Sequence, residues 1–249
     1  MRRFHADPGD INDGHARVKG DELQHLARVL RLVAGDPVVI FDGQGREYTG
    51  VIVSLAKNEA LVKLQSSVSV QRESSLEIWL AQGLAKGDKM DFIIQKATEL
   101  GVRGIVPLET ERSVVRLAGG KKEQRQQRWR KIALEAAKQC RRTVVPEVLS
   151  PCSPGEFLAG LPAVRLLLMP WEEGGQPLKW VLRENEALFH EAAPVYVMIG
   201  PEGGFTEKEV TQVQNFGGIM VTLGPRILRT ETAGLAALSA IMYQWGDLG

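Results

Sequence analysis

The chain is poor in cysteine, in aromatic residues and in long apolar runs, and each shortage closes off a class of protein. Of 249 residues only two are cysteine, Cys140 and Cys152. Neither sits in a Cys-x-x-Cys pair or a Cys/His cluster, so a disulfide framework and a structural zinc site are excluded and reduced thiols in a cytosol are expected. No stretch approaches the roughly 18 uninterrupted apolar residues that suit a bilayer, and the basic start Met1-Arg2-Arg3 lacks the apolar segment of a signal peptide. The expectation is a cytoplasmic protein with no membrane partner. The four histidines, His5, His15, His25 and His190, follow no triad or ligand spacing, and no metal is expected. The P-loop pattern G-x-x-x-x-G-K-[ST] and the dinucleotide fingerprint G-x-G-x-x-G are missing, which disfavours the usual nucleotide folds.

A net charge of either sign is also nearly absent, since 31 Lys/Arg oppose 30 Asp/Glu. The distribution is nevertheless polar. From Arg112 to Arg142 eleven basic residues face only Glu123 and Glu135, a local charge of +9, so the remainder sums to −8. A basic segment on a mildly acidic body suits a polyanion binder; a solvated helix face is the plainer alternative. A helix over 123–140 is predicted, because Trp129, Ile132, Ala133, Ala136 and Cys140 form one apolar stripe. At about 3.6 residues per turn, Lys131, Lys138 and Arg142 then point outward together on the opposite side.

With 44% apolar residues the composition is that of an ordinary globular chain of one or two domains. Up to about Gln65 it reads as short strands, 37–42, 46–55 and 60–64, a meander or small barrel, interrupted by one helix with Asp21 as N-cap. A polar, serine-rich stretch, 66–75, is the linker candidate. Beyond it strands at 76–81, 104–108, 165–169, 194–199 and 218–223 alternate with helices, the first capped by Asp88 with Met90, Ile93, Ile94 and Ala97 inward. That rhythm predicts a parallel sheet covered on both faces.

Ligands of such sheets sit beyond the carboxyl ends of the strands. Two exits stand out. After Ile199 comes Gly200-Pro201-Glu202-Gly203-Gly204-Phe205-Thr206, where Thr206 and Glu209 have capping-box spacing and the glycines allow close approach of a ligand, or serve only a structural turn. After Leu223 comes Gly224-Pro225-Arg226-Ile227-Leu228-Arg229-Thr230-Glu231-Thr232-Ala233, leading into an Ala/Gly-rich helix that is apolar nearly all round. The pair suggests a composite pocket, unless Arg229 and Glu231 make only a local ion pair.

G-P-E-G-G-F-T (200–206), L-G-P-R-I-L-R-T-E-T-A (223–233) and K-G-D-K-M-D-F-I-I-Q-K-A-T-E-L-G-V (86–102) together resemble the small-subunit ribosomal RNA uridine-N3 methyltransferase family of the SPOUT class, over essentially the whole chain. The resemblance implies an α/β fold: a carboxy-terminal parallel-sheet domain, 71–249, tied into a deep trefoil knot, preceded by a small β-barrel PUA-like domain, 1–70, that binds RNA. It implies S-adenosyl-L-methionine as cofactor, a homodimer, and ribosomal RNA of the small subunit as partner.

Carried over by motif, the cofactor contacts are Leu168, Pro170, Gly200, Glu202, Gly203, Leu223, Gly224, Leu228, Thr230 and Ala233. Arg229 is the candidate for stabilising the uracil anion and Glu202 for positioning or accepting the N3 proton. Arg2, Arg3, Arg17, Arg28 and Arg31 extend an RNA track, with Arg112, Arg116, Lys131, Lys138 and Arg142 in the basic segment. The rival readings are a SPOUT-class ribose 2′-O-methyltransferase and a non-catalytic RNA-binding assembly factor.

Overall fold

A computed structural model describes residues 1–68, 72–117 and 119–249. The chain divides into two compact units, one of residues 1–73 with 137–145, the other of 74–136 with 146–249. The boundary expected between residues 70 and 71 lies outside the described residues.

The first unit holds β1 (Arg2–His5), β2 (Ile11–Asn12), β3 (His15–Lys19), α1 (Gly20–Gln24), β4 (Pro37–Phe41), β5 (Glu47–Leu55) and β6 (Glu59–Val68). They form one mixed sheet in the order β1-β4-β5-β6-β3-β2, with β1 parallel to β4 and the other pairs antiparallel. No pairing joins β1 to β2 among the described residues, so the sheet is a half-barrel. Its core is Phe4, Ala16, Val18, Val38, Ile40, Ile52 and Val62 from the strands, closed by Leu23 and Leu26 from the helical segment. That helix begins two residues earlier than expected: Lys19 is the N-cap and Asp21 lies in the first turn, where its charge favours the helix dipole. Ser66 to Val68, expected as linker, continue β6.

The second unit contains β7 (Ile78–Gly83), α2 (Lys89–Glu99), β8 (Gly104–Leu108), α3 (Lys121–Cys140, whose last turn belongs to the first unit), β9 (Glu147–Val148), α4 (Pro154–Ala159), β10 (Leu166–Pro170), β11 (Gln176–Pro177), α5 (Leu178–Glu184), α6 (Glu186–His190), β12 (Val195–Ile199), α7 (Glu207–Asn215), β13 (Ile219–Thr222) and α8 (Thr230–Trp245). The sheet is parallel throughout, in the order β11-β13-β10-β12-β7-β8-β9.

Both faces are covered, as near-continuous apolar strands require. Tyr196 and Met198 of β12 pack with Phe157, Leu158, Val210 and Val213 of α4 and α7. On the other face α8 lies so close that a Cβ on Gly234 would touch Leu80, Gln82 and Ile199 at 3.4–3.5 Å. Helix α2 starts at the expected cap, buries Met90, Ile93, Ile94 and Ala97, and stops before Gly101 in the left-handed region. No described helix is long and apolar enough to cross a membrane.

Candidate active site

Parallel strands β7, β12 and β13 end on one side of the sheet, and their exits build the site. Beyond Ile199 the chain turns sharply. Gly204 has φ +68°, and a Cβ there would meet Glu172 Oε1 at 2.7 Å. Thr206 then caps α7, its hydroxyl accepting from the Glu209 amide at 3.3 Å while Glu209 Oε2 accepts from the Thr206 amide at 2.9 Å. Glu209 is buried, and its other oxygen accepts from the Glu111 amide at 2.9 Å, so the capping box also anchors the segment after β8.

The second bend, 223–229, delivers Thr230 as the first residue of α8. Its hydroxyl donates to the Gly200 carbonyl at 2.6 Å and accepts from Gln82 Nε2 at 2.9 Å. One side chain thereby joins the exits of β12, β13 and β7. Gly83, which follows Gln82, lies so close to the first bend that a Cβ would sit 2.5 Å from the Pro201 nitrogen. Any side chain there displaces the bend.

The two bends enclose a cavity of about 330 Å³ lined by Lys89, Pro170, Ile199, Gly200, Glu202, Leu228, Arg229, Thr230 and Ala233. A smaller one of about 110 Å³ adjoins it, sharing Pro170, Glu172, Ile227, Leu228 and Ala233 and adding Trp171, Thr222, Leu223, Gly224 and Arg226. The composite pocket is therefore present. Of the expected cofactor residues, Pro170, Gly200, Glu202, Leu223, Gly224, Leu228, Thr230 and Ala233 line these cavities. Leu168 and Gly203 do not. Leu168 is fully buried inside β10, and Gly203 packs against Arg112.

The charges differ from a local Arg229–Glu231 pair. Glu231 pairs with Lys89 at 3.2 Å, and the same ammonium lies 3.1 Å from Glu202. The Lys86 amide donates to Glu202 at 3.1 Å. Desolvation raises the Glu202 pKa, but amide hydrogen bonds and Lys89 outweigh it and hold the carboxyl below its usual range. Glu231 is lowered too, chiefly by a backbone hydrogen bond and then by Lys89. Lys89 itself is raised by its bond to Glu202. The Arg229 residue is exposed and lines the cavity, its carbonyl accepting from the Thr232 and Ala233 amides at 2.8 Å, while its guanidinium makes no hydrogen bond or salt bridge among the described residues.

Lys89 escaped the sequence reading, although it lies in the quoted 86–102 motif. The signal was its place just beyond a third strand exit, that of β7, where the same rule about carboxyl ends applies.

The basic segment does not point outward as one face. Lys138 is almost wholly buried against Glu22 at 2.5 Å, and Arg142 is buried against Glu73 at 2.8 Å. Arg3 pairs with Glu47 at 2.8 Å beneath the Phe41 ring, and burial lowers its pKa. These cations are internal struts of the first unit. A helical wheel placed Lys138 and Arg142 on a free side because it could not see that the last turn of α3 belongs to that unit. Arg112 donates to the Gly203 and Phe205 carbonyls at 3.2 Å, and Arg116 to the Glu111 carbonyl at 2.9 Å. Arg2, Arg28, Arg31 and Lys131 are exposed, and Arg17 stands 4.0 Å from Glu59.

No group of three His, Cys, Asp or Glu among the described residues could hold a metal. Burial pushes the Cys152 thiol up to about 11.

Comparison with known proteins gives this geometry a class. Residues 72–242 match a family described as "RNA methyltransferase domain", and residues 18–65 one described as "RNA methyltransferase PUA domain". Mixed half-barrel and parallel α/β sheet are thus the two parts of an RNA methyltransferase.

The chain is 36% identical over 91% of its length to ribosomal RNA small subunit methyltransferase E of Bacillus subtilis, covering 89% of that protein. It is similar over 100% of both chains, with a TM-score of 0.89 and 35% identity, to the crystal structure of a protein of that name from Neisseria gonorrhoeae bound to S-adenosyl methionine. A putative methyltransferase from Legionella pneumophila, solved with the same cofactor, matches at 33% identity and a TM-score of 0.83 over 99% of this chain and 98% of its own. The chain belongs to the ribosomal RNA small subunit methyltransferase E family.

Proposed function

We propose that this protein transfers a methyl group from S-adenosylmethionine to N3 of a uridine in small-subunit ribosomal RNA. The observation that carries the reading is the Thr230–Gly200 hydrogen bond, which closes two bends around a cavity of about 330 Å³ at the carboxyl ends of a parallel sheet. Two similar structures were solved with this cofactor.

The lining residues fit the group. Leu223, Leu228 and Ala233 supply apolar walls beside main-chain polar groups suited to an adenine, and Glu202 supplies an acceptor suited to an ammonium. When bound, the cofactor supplies an electrophilic sulfonium methyl. The protein's part is to hold the acceptor nitrogen in line, since positioning alone can give a large share of the acceleration.

The N3 proton must leave as the nitrogen attacks. Arg229, exposed and unpaired at the cavity mouth, is suited to stabilise the uracil anion. Glu202 is suited to orientation, because a carboxylate held below its usual pKa is a poor proton acceptor at neutral pH. N3 lies on the Watson–Crick edge, so the target base must be unpaired or flipped out.

In the same reading the half-barrel unit, Arg2, Arg17, Arg28 and Arg31, and the exposed part of α3 contact RNA in the cytoplasm. The bends are threaded as the family's trefoil knot. A second copy covers the outer face of α8, where Tyr243 is 70% exposed.

Reverse transcription of small-subunit RNA tests the reading, because a methyl on N3 blocks base pairing. Cells with the gene should give a stop at one uridine that vanishes on deletion, together with a methyluridine visible by mass spectrometry. Readthrough at the modified site would overturn the N3 assignment and leave the ribose 2′-O-methyl reading standing.

A further inference from the structure

We propose that Lys89 is a positioning residue of this site, a cation that fixes Glu202 of the first bend against Glu231 of the second and so orients the carboxylate that faces the cofactor. The inference rests on the cofactor reading above.

Three observations converge on Lys89. Its ammonium lies 3.1 Å from Glu202 and 3.2 Å from Glu231, and it lines the cavity itself. Glu231 Oε2 is buried without any hydrogen bond, and the Lys89 ammonium is the ion-pair partner beside that oxygen. Finally, Lys89 is the first residue of α2, where the helix dipole disfavours a cation. Helix stability does not explain a lysine at that place; the two carboxylates do.

The electrostatic consequence follows from the groups around it. Lys89, Arg229, Glu172 and Glu202 are the charged residues lining the cavity, Glu231 adjoins from α8, and Lys86 and Asp88 come from the loop after β7. Without Lys89, Arg229 would be the one cation left among the lining residues, beside Glu172 and Glu202. Glu202 and Glu231 would then gain protons at higher pH, and Glu202 would keep only its amide bonds.

Calorimetric titration with S-adenosylmethionine alone, at pH 5.5 and 7.0, tests this on the full chain. Wild-type affinity should change little between the two, because both carboxylates stay ionised. Lys89→Met should bind about tenfold more weakly at pH 7.0 and a further roughly threefold at pH 5.5, and Lys89→Arg should recover most of the loss. In a Glu202→Gln background, Lys89→Met should cost clearly less than tenfold, because its partner is already gone.

Wild-type affinity and pH response in Lys89→Met, or full additivity with Glu202→Gln, would overturn the role of Lys89 alone. Absence of any wild-type binding at high micromolar cofactor would overturn the cofactor reading and this role with it. Should Lys89→Met fail to fold, Lys89→Gln, which also removes the charge, runs the same cycle with Glu202→Gln.

Discussion

The hydroxyl of Thr230 donates to the carbonyl of Gly200 at 2.6 Å across thirty positions of sequence. Because Gln82 Nε2 donates to the same hydroxyl at 2.9 Å, one threonine ties three strand exits into one cavity wall. Thr230→Val preserves shape but leaves a carbonyl and a buried amide short of a partner, a cost of about 1–3 kcal/mol. Cofactor affinity should fall roughly tenfold. Thr230→Ser should retain it, and calorimetry distinguishes the two.

Arg229 makes no ion pair that holds the fold together. Arg229→Ala should therefore leave the melting temperature and the cofactor Kd close to wild type while lowering kcat by about a hundredfold, the scale of losing one group that stabilises transition-state charge. A matching loss of cofactor affinity in titration would reassign the residue to binding.

Lys138 and Arg125 lie on one helix and should behave oppositely. Lys138 is buried against Glu22, so Lys138→Met should lower stability by about 3 kcal/mol, read by urea denaturation. Its effect on the salt dependence of RNA binding should be small. Arg125→Glu, on an exposed turn, should spare stability. If it contacts a phosphate, it should flatten the slope of log affinity against log salt by about 0.7.

The Cys152 thiol, pushed up to about 11 by burial, is almost wholly protonated at pH 8. Since the thiolate is the nucleophile, alkylation there should run roughly a hundredfold slower than for a free cysteine and should speed up as pH rises towards 11. Mass-resolved labelling with iodoacetamide at two pH values measures this. Fast modification at pH 8 would show the site opening.

Much of the architecture was legible before any coordinates. The stripe Met90, Ile93, Ile94, Ala97 and the Thr206–Glu209 capping pair are local patterns, and the structure has both where periodicity and spacing put them. The same logic found the two glycine-bearing bends, because a strand followed by glycines and a cap can only be a turn. It failed for Lys138 and Arg142. A helical wheel knows the direction of a side chain but not what packs there, and Glu22 and Glu73 are more than sixty positions away in the chain. It failed again for Lys89, whose partners Glu202 and Glu231 come from two later strand exits.

Strand and helix periods, caps, turns and the uneven distribution of charge follow from residues a few positions apart, so the order of residues alone dictated them. The pairing of charges did not, and neither did the closure of the cavity. Both depend on which distant segments the folded chain sets side by side. An ion pair or a hydroxyl bridge exists only where that long-range placement brings two groups within about 3 Å of each other.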